Sequence, residues 1–195
     1  RLTSWWDSDV SLRVDMCRKE SAGADEECRY AEYSKFAVAD EDDKYRLTVS
    51  GFSASDPSPG DSLLAVHSGK RFSTKDQDND TWGSNCATQF KGAWGYSACH
   101  SSNINGRYLN GDHSSYADGV NWYHFKGHKH SLRTTYMLVR PAADGTSFPL
   151  RWGFIGTGGI SSDWAKCLAA SCPGATLASV AARTVTTAWV MPWPR

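Results

Sequence analysis

The segment DQDNDTWGS at residues 76–84 is the most informative local feature of this sequence. Its carboxylates alternate from Asp76 to Asp80, and this spacing lets several side-chain oxygens turn toward one centre in a tight loop. Hard oxygen ligands of this kind suit calcium. An EF-hand counted from Asp76 requires glycine at position six and glutamate at position twelve, where this chain has Thr81 and Ala87. The pattern therefore indicates either a calcium loop of another kind or a solvated acidic turn.

The residues that follow this segment contain the second informative feature. Cys86 and Cys99 flank a stretch that holds Phe90 and further aromatic residues, and His100 comes directly after the second cysteine. A disulfide between the two cysteines would stabilise the fold by about 3 kcal/mol in the loop-closure picture. Aromatic rings, a histidine and backbone amides beside a bound cation are typical of a small-ligand pocket.

The chain has six cysteines, an even number without a CxxC motif. This usage favours disulfides in an oxidising compartment over a metal cluster, and it predicts a secreted protein. Six cysteines formally allow 15 pairings. Proximity in the sequence suggests the pairs Cys17–Cys28, Cys86–Cys99 and Cys167–Cys172, of which the last stays open.

The first region, up to about residue 56, alternates in the manner of paired β-strands. Residues 12–16 place Leu, Val and Met at every second position, and residues 44–49 repeat the alternation. The charged loop at residues 18–27 lies between Cys17 and Cys28, which predicts a hairpin clasped by a disulfide.

The rest of the chain divides into two parts of different composition. Residues 57–141 are rich in Gly, Asn, Asp and Ser, which predicts a loop-dominated region, and they close with SLRTTYMLVRP at 131–141, a strand stopped by proline. Residues 142–195 contain four basic and two acidic residues and have no sustained helical or strand period. We assign this tail no structure and no function.

Charge and motif content exclude several classes of protein. The chain has 21 Lys and Arg residues and 21 Asp and Glu residues, so it lacks the excess positive charge that is typical of nucleic-acid-binding proteins. The sequence contains no apolar run of about 18 residues, the length that a membrane-spanning helix requires. The chain has no GxSxG nucleophile motif, and the glycine turn at residues 156–159 is not followed by Lys-Ser or Lys-Thr. We therefore expect a non-enzymatic protein.

A series of motifs in fixed order closely resembles fibrinogen-related domains, the family of ficolins, tachylectins and the C-terminal globular domains of fibrinogen chains. The motifs are FSTKDQDND at 72–80, NCA at 85–87, GAW at 92–94, CH at 99–100, SNING at 102–106, GVNW at 119–122 and the strand at 131–141. The resemblance implies an α+β fold over residues 1–141, with a central, mainly antiparallel sheet and a loop-rich subdomain for calcium and ligand. It also implies that the N-terminal subdomain of the family is missing and that residues 142–195 form a divergent tail.

The resemblance implies roles for particular residues of the calcium loop. Asp78 and Asp80 match the two calcium carboxylates of the family, and the backbone carbonyls of Trp82 and Ser84 match its main-chain ligands. Cys86 and Cys99 match its disulfide. The bond between Asn85 and Cys86 matches one that is often cis in the family.

The resemblance also implies a ligand pocket. In members that bind acetyl groups, the pocket is lined by the residues that correspond to Phe90, Cys99, His100, Tyr116 and Ala117. The implied function is calcium-dependent recognition of acetylated glycans in pattern recognition or adhesion, with Ca²⁺ holding the loop rather than touching the ligand. The alternative is a domain of the fibrinogen or growth-factor type that binds a peptide or a protein receptor. In such lectins an upstream segment, missing from this sequence, would supply oligomerisation.

Several positions depart from the family pattern. Gly95 replaces the second of two consecutive tryptophans, which predicts looser packing under the pocket, and Phe90 replaces a tyrosine frequent in acetyl-binding members. His124, His128 and His130 form an HxxxHxH cluster that raises the question of zinc. Because lysines interleave with these histidines, we favour a solvated basic edge.

Overall fold

The computed structural model describes residues 10–18, 25–141 and 153–155. The elements in chain order are β1 (Val10–Arg18), β2 (Glu27–Val38), β3 (Leu47–Ala54), α1 (Leu64–His67), α2 (Cys86–Phe90), β4 (Ser102–Asn103), β5 (Gly111–Asp112), β6 (Asn121–Trp122), α3 (Tyr123–Lys126), β7 (His130–Ser131), β8 (Thr134–Pro141) and β9 (Gly153–Ile155). Five strands form an antiparallel sheet in the order β3-β2-β1-β8-β9. The expected α+β architecture with a central antiparallel sheet is confirmed.

The central strand β1 follows directly from the alternation in its sequence. Leu12, Val14 and Met16 point to the core face and have no exposed surface. Leu12 is paired with Tyr33 of β2 on one side and with Val139 of β8 on the other. Because side chains alternate between faces in a strand, this register buries one whole parity of the strand and leaves the other parity polar.

The hairpin of β1 and β2 is closed by the predicted disulfide. Cys17 and Cys28 lie directly opposite each other in the strand register, and their sulfur atoms are bonded. On the face of the hairpin away from the core, the Arg13 guanidinium lies 3.8 Å from the centroid of the Tyr30 ring. The arginine also forms an ion pair with Asp15 at 2.8 Å, so this polar face has its own internal contacts.

Strand β8 ends at Pro141, as the sequence predicts for a strand stopped by proline. Its outer neighbour is β9, so three residues of the 142–195 tail join the sheet. Cys167 and Cys172, whose pairing the sequence leaves open, lie outside the described residues. Among the residues that the structure describes, no helix is long and apolar enough to cross a membrane.

The chain between β3 and β8 is the predicted loop-rich region. It contains the three short helices and two small two-stranded sheets, β4 with β6 and β5 with β7. Trp122 is fully buried at its centre, and the indole N–H donates to the carbonyl of Gly60 at 2.9 Å. Gly106 has to be glycine, because a Cβ atom there would lie 2.1 Å from the carbonyl oxygen of Gly119.

A part-buried side-chain hydrogen bond connects β2 to this region. The hydroxyl of Tyr33, on β2, donates to Oδ1 of Asp61 at 2.8 Å. The same oxygen accepts the backbone N–H groups of Leu63 and Leu64 at 2.9 Å and so orders the start of α1. Burial and the neighbouring Asp61 carboxylate raise the pKa of Tyr33 well above its usual value, which keeps the phenol protonated as the donor.

Replacing Tyr33 with phenylalanine should lower the free energy of unfolding by about 1–2 kcal/mol, because the half-buried Asp61 carboxylate loses one of its donors. The measurement is urea unfolding of the full chain. Tyr45→Phe is the matched control, since Tyr45 is an exposed turn residue. Equal unfolding midpoints for the two variants would show that the Tyr33–Asp61 bond does not stabilise the domain.

Candidate functional site: an aromatic-histidine surface beside an acidic loop

The predicted disulfide between Cys86 and Cys99 forms the framework of the site. Asn85 is the N-cap of α2, and its side chain accepts the N–H of Thr88 at 2.8 Å. The N–H of Cys86 donates to Oδ2 of Asp80 at 2.8 Å. The acidic loop is therefore joined to the start of α2, and the disulfide joins α2 to the segment that carries His100.

The cis peptide bond expected between Asn85 and Cys86 is not there. The non-proline cis bond of the described residues lies between Ala98 and Cys99, at the other cysteine of the pair. The bond after Asn85 is trans, and the Asn85 carbonyl accepts the N–H of Gln89 at 3.0 Å at the start of α2.

The acidic loop places the two predicted calcium carboxylates side by side. Oδ1 of Asp78 accepts the N–H of Asp80 at 3.2 Å, and Oδ1 of Asp80 accepts the N–H of Trp82 at 2.9 Å. Burial raises the pKa of Asp80, the backbone N–H groups of Cys86 and Trp82 lower it, and the neighbouring Asp78 carboxylate raises it again; the net direction is upward.

The donor set of this loop suits a hard cation that takes part of its coordination from the backbone. Two adjacent carboxylates repel each other, and a divalent cation would relieve that repulsion. Among the described residues, no three side chains of His, Cys, Asp or Glu converge on one point. A cation at Asp78 and Asp80 would therefore depend on main-chain carbonyls, such as those predicted at Trp82 and Ser84, and on water.

Six aromatic and imidazole rings next to this loop form a continuous surface, which we call the aromatic-histidine row. It consists of Trp82, Phe90, His100, His128, Tyr116 and Tyr123. The ring centroids are 6.4 Å apart for Trp82–Phe90, 4.8 Å for Phe90–His100, 5.4 Å for His100–His128, 5.3 Å for His128–Tyr116 and 4.7 Å for His128–Tyr123. The predicted ligand residues Phe90, His100 and Tyr116 are thus brought into one row.

The row is exposed at its ends and buried toward its middle. Trp82 is 43% exposed at one end, and Tyr123 and Tyr116 are 49% and 63% exposed at the other. Phe90 and His100 between them are half-buried. A continuous surface of large exposed aromatic rings is typical of a binding site.

The middle of the row is uncharged. Nε2 of His100 donates to the carbonyl of Ala117 at 2.9 Å, because a carbonyl can only accept. Burial, together with the nearby His128 and His67, lowers the pKa of His100 to about 3. Burial lowers the pKa of His128 as well. Both imidazoles are therefore neutral at physiological pH.

The backbone supplies the remaining predicted pocket residues. Ala117 is buried and has a φ of 60°, a left-handed conformation that non-glycine residues rarely adopt. It is held there by His100 on its carbonyl and by the carbonyl of His128, which accepts its N–H at 3.0 Å. Cys99 is half-buried beside His100. Nδ1 of His100 and Nδ1 of His128 are buried without a hydrogen-bond partner within the described part of the chain.

The interpretation of the HxxxHxH cluster as a solvated edge is wrong for two of its three members. His130 is buried, and its Nδ1 lies 2.7 Å from Oδ1 of Asp112. His128 is half-buried in the aromatic-histidine row, and only His124 is exposed. The spacing does not keep the three histidines on one surface, because His124 lies in α3, His128 lies between α3 and β7, and His130 lies in β7.

Sequence reasoning missed His128, Tyr123 and the ring of Trp82 as members of the row. The sequence predicts only the backbone carbonyl of Trp82 as part of the site. The HxxxHxH spacing includes His128, but a pattern of histidines and lysines does not show that one histidine packs against residues 100 and 116. The nearness of Tyr123 to His128 depends on the turn after α3.

The fold and the site define a disulfide-bonded domain of the fibrinogen-like type. The chain belongs to the family of the C-terminal globular domain of fibrinogen beta and gamma chains, whose family model matches residues 2–142. The Xenopus laevis proteins fibrinogen C domain-containing protein 1-A and 1-B are each 45% identical to it over 135 residues, 67% of this chain. This chain spans 28% of the length of each of them.

Solved structures give the same result. The fibrinogen-like globe domains of human ANGPTL2 and ANGPTL6 both match with a TM-score of 0.61, at 36% and 39% identity. The matches cover 70% and 69% of this chain, and 60% and 58% of those chains. The lamprey fibrin D-dimer complexed with the peptide Gly-His-Arg-Pro-amide matches with a TM-score of 0.62 at 26% identity, over 80% of this chain and 50% of that chain. The resemblance stated from the sequence is confirmed.

Acidification should destabilise the domain between about pH 6.5 and pH 4. Burial lowers the pKa of the fully buried His67 to about 4, and the pKa of His100 is about 3. Because the unfolded chain binds these protons near pH 6.5 and the folded chain does not, stability is full above that pH and is lost below it. The contribution of His67 is on the order of 3 kcal/mol. Urea unfolding at pH 7 and pH 4.5 measures the loss, and an unfolding midpoint that does not change would contradict it.

Proposed function

We propose that this chain is an extracellular recognition domain that binds a protein or peptide ligand on the aromatic-histidine row. The observation that carries the proposal is the unbroken run of six rings whose ends at Trp82, Tyr116 and Tyr123 are exposed to solvent. Tyrosine and tryptophan dominate the binding energy of protein interfaces, because they offer large contact area at a low cost in side-chain entropy. The two disulfides are in keeping with a secreted protein.

The comparisons support a protein or peptide ligand in particular. A family member of similar fold, the lamprey fibrin D-dimer, is complexed with a short peptide. By analogy a peptide would lie along the row and place an apolar side chain between exposed rings. The function proposed is binding without catalysis, and joining several such domains in a longer protein would raise their combined affinity.

A specific observation favours an acetylated ligand as the second candidate. The Phe90 and His100 rings are nearly perpendicular, at 89°, and the imidazoles in the middle of the row are neutral. An uncharged acetyl group enters such a place at a lower desolvation cost than a charged group would. Its methyl would contact Phe90 and Tyr116, and the backbone around Cys99 and Ala117 would supply polar partners.

Calcium is the proposed cofactor, with Asp78 and Asp80 as its carboxylate ligands and the carbonyls of Trp82 and Ser84 beside them. A bound calcium ion supplies positive charge that neutralises the two adjacent carboxylates. The loop that these carboxylates order carries the ring of Trp82, one end of the row. Metal binding would thereby preorganise the surface without contact between the ion and the ligand.

Tyr116→Ala should weaken ligand binding about fivefold or more, since truncation of an aromatic residue that is important to an interface costs more than about 1 kcal/mol. The probes are immobilised Gly-His-Arg-Pro-amide and immobilised N-acetylglucosamine, with affinity measured by surface plasmon resonance. Tyr108→Ala is the matched control, because Tyr108 is equally exposed, at 64%, but lies outside the row.

The two probes separate the two candidates. Peptide binding that free N-acetylglucosamine does not inhibit supports the first candidate, and sugar binding abolished by free N-acetylglucosamine supports the second. Equal effects of the Tyr116 and Tyr108 substitutions would place the binding surface away from the row.

Calcium should raise the melting temperature of the chain, by an amount equivalent to about 2.7 kcal/mol at a concentration one hundred times its Kd. Asp80→Asn should remove most of this shift, because it takes away one of the two adjacent carboxylates. Asp76→Asn should preserve it, since Asp76 is exposed and is not among the proposed ligands. A melting temperature that stays constant up to millimolar calcium would overturn the metal assignment.

A further inference from the structure

His67, the last residue of α1, has no exposed surface, and both of its ring nitrogens are bonded to the backbone. Nδ1 lies 2.7 Å from the carbonyl oxygen of Gly95. Nε2 lies 3.2 Å and 3.1 Å from the backbone nitrogens of Ser101 and Ser102. Neither the composition of this stretch nor any motif in it marks this histidine as part of the site.

The chemistry of its partners determines the protonation state of His67. A carbonyl oxygen can only accept a hydrogen bond, so Nδ1 carries the proton. A backbone N–H can only donate, and two of them point at Nε2, so that nitrogen must hold an unshared electron pair. The side chain is therefore a neutral imidazole in one defined tautomer. A protonated ring would turn Nε2 into a donor facing two other donors.

The two backbone N–H groups that donate to His67 belong to the segment that directly follows His100 of the aromatic-histidine row. Ser101 and Ser102 follow His100 in the chain. The carbonyl of Ser101 in turn accepts the N–H of Tyr123 at 2.9 Å. The segment that His67 holds thus connects two members of the row, His100 at its middle and Tyr123 at one end.

The other end of this support is the central sheet. Asp61 accepts the hydroxyl of Tyr33 and orders the start of α1. Next to Asp61, the carbonyl of Ser62 accepts the hydroxyl of Ser101 at 2.8 Å. The hydroxyl oxygen of Ser62 accepts the N–H of His124, the residue after Tyr123, at 3.0 Å. A continuous set of hydrogen bonds therefore runs from β2 through α1 to the back of the row.

We propose that His67 is the positioning residue of the aromatic-histidine row: its imidazole, protonated on Nδ1, holds the backbone of Ser101 and Ser102 and so fixes His100 and Tyr123 relative to each other. The proposal rests on the row as the ligand-binding surface. His67 is fully buried and cannot contact a ligand, but it would still affect affinity. By holding the row in place it would reduce the entropy that the surface loses on binding.

Gly95 stands where the family pattern has the second of two consecutive tryptophans. The hydrogen bond from His67 uses the backbone carbonyl of Gly95, so it does not require a tryptophan side chain there. Gly95 contributes to the site through its carbonyl oxygen, which fixes the tautomer of His67, and a Cβ atom there would make only ordinary contacts, the closest at 3.5 Å from the carbonyl oxygen of Lys70. The ring of Trp94 lies edge-on to His67, with centroids 6.2 Å apart.

Two substitutions separate positioning from simple filling of the core. His67→Phe keeps a ring of similar size against Trp94 and removes both polar nitrogens. His67→Gln keeps one acceptor and one donor and should recover part of the effect. Ser68→Ala is the matched control, because Ser68 directly follows His67 at the C-cap of α1, but its hydroxyl forms hydrogen bonds with the backbone of Val49 in β3 and none with the site.

The first readout is NMR of the full, isotopically labelled chain without any ligand. The wild type should show an unprotonated Nε2 on His67, scalar coupling across the hydrogen bonds to the nitrogens of Ser101 and Ser102, and ring resonances of His100 and Tyr123 that move in His67→Phe but not in Ser68→Ala. Unchanged His100 and Tyr123 resonances in a folded His67→Phe variant would overturn the proposal. So would a wild-type His67 that is protonated on Nε2.

The second readout is affinity for Gly-His-Arg-Pro-amide and for N-acetylglucosamine. For the probe that the wild type binds, His67→Phe should weaken the affinity about fivefold or more. The affinity of His67→Gln should lie between those of the wild type and His67→Phe, and Ser68→Ala should have the affinity of the wild type. Equal affinities of the wild type and a folded His67→Phe variant would overturn the proposal. If the wild type binds neither probe, the proposed function is at fault, and the NMR readout alone decides the role of His67.

Discussion

The pairing of β1 with a strand on each side is the constraint on which the rest of this structure depends. Its core-facing residues have no exposed surface, and its neighbours β2 and β8 are aligned through them. Since β3 pairs with β2, both ends of the loop-rich region belong to one sheet. The sheet thereby brings together the two ends of the long loop-rich region between β3 and β8. The entropy cost of closing such a loop grows only slowly with its length.

Within the loop-rich region, the structure is held mainly by polar contacts with the backbone. The Cys86–Cys99 disulfide joins the acidic loop to the segment of His100, and buried side chains such as Asn103 and His67 bond backbone groups from distant parts of the chain. A region with so little regular secondary structure must satisfy its buried amides and carbonyls in this way. The aromatic-histidine row lies where these supports meet, and its neutral imidazoles are a result of the same burial.

Features determined by nearby residues could be predicted from the sequence. The alternation of residues 12–16 predicts β1, Pro141 predicts the end of β8, and the short separations within Cys17–Cys28 and Cys86–Cys99 predict the two disulfides. Features that depend on distant partners could not be predicted. His67 bonds amides 34 and 35 residues away, and the burial of His130 depends on its pairing with Asp112 across β5 and β7.

The central claim, that recognition takes place on the aromatic-histidine row, is tested most directly by titrating the labelled full chain with Gly-His-Arg-Pro-amide and, separately, with N-acetylglucosamine while recording histidine and aromatic ring resonances. We predict that the bound probe shifts His100, His128, Tyr116 and Tyr123 together. His130 is buried outside the row and should remain unchanged. Saturable shifts that leave the row unaffected and appear on another surface of the domain would contradict the claim.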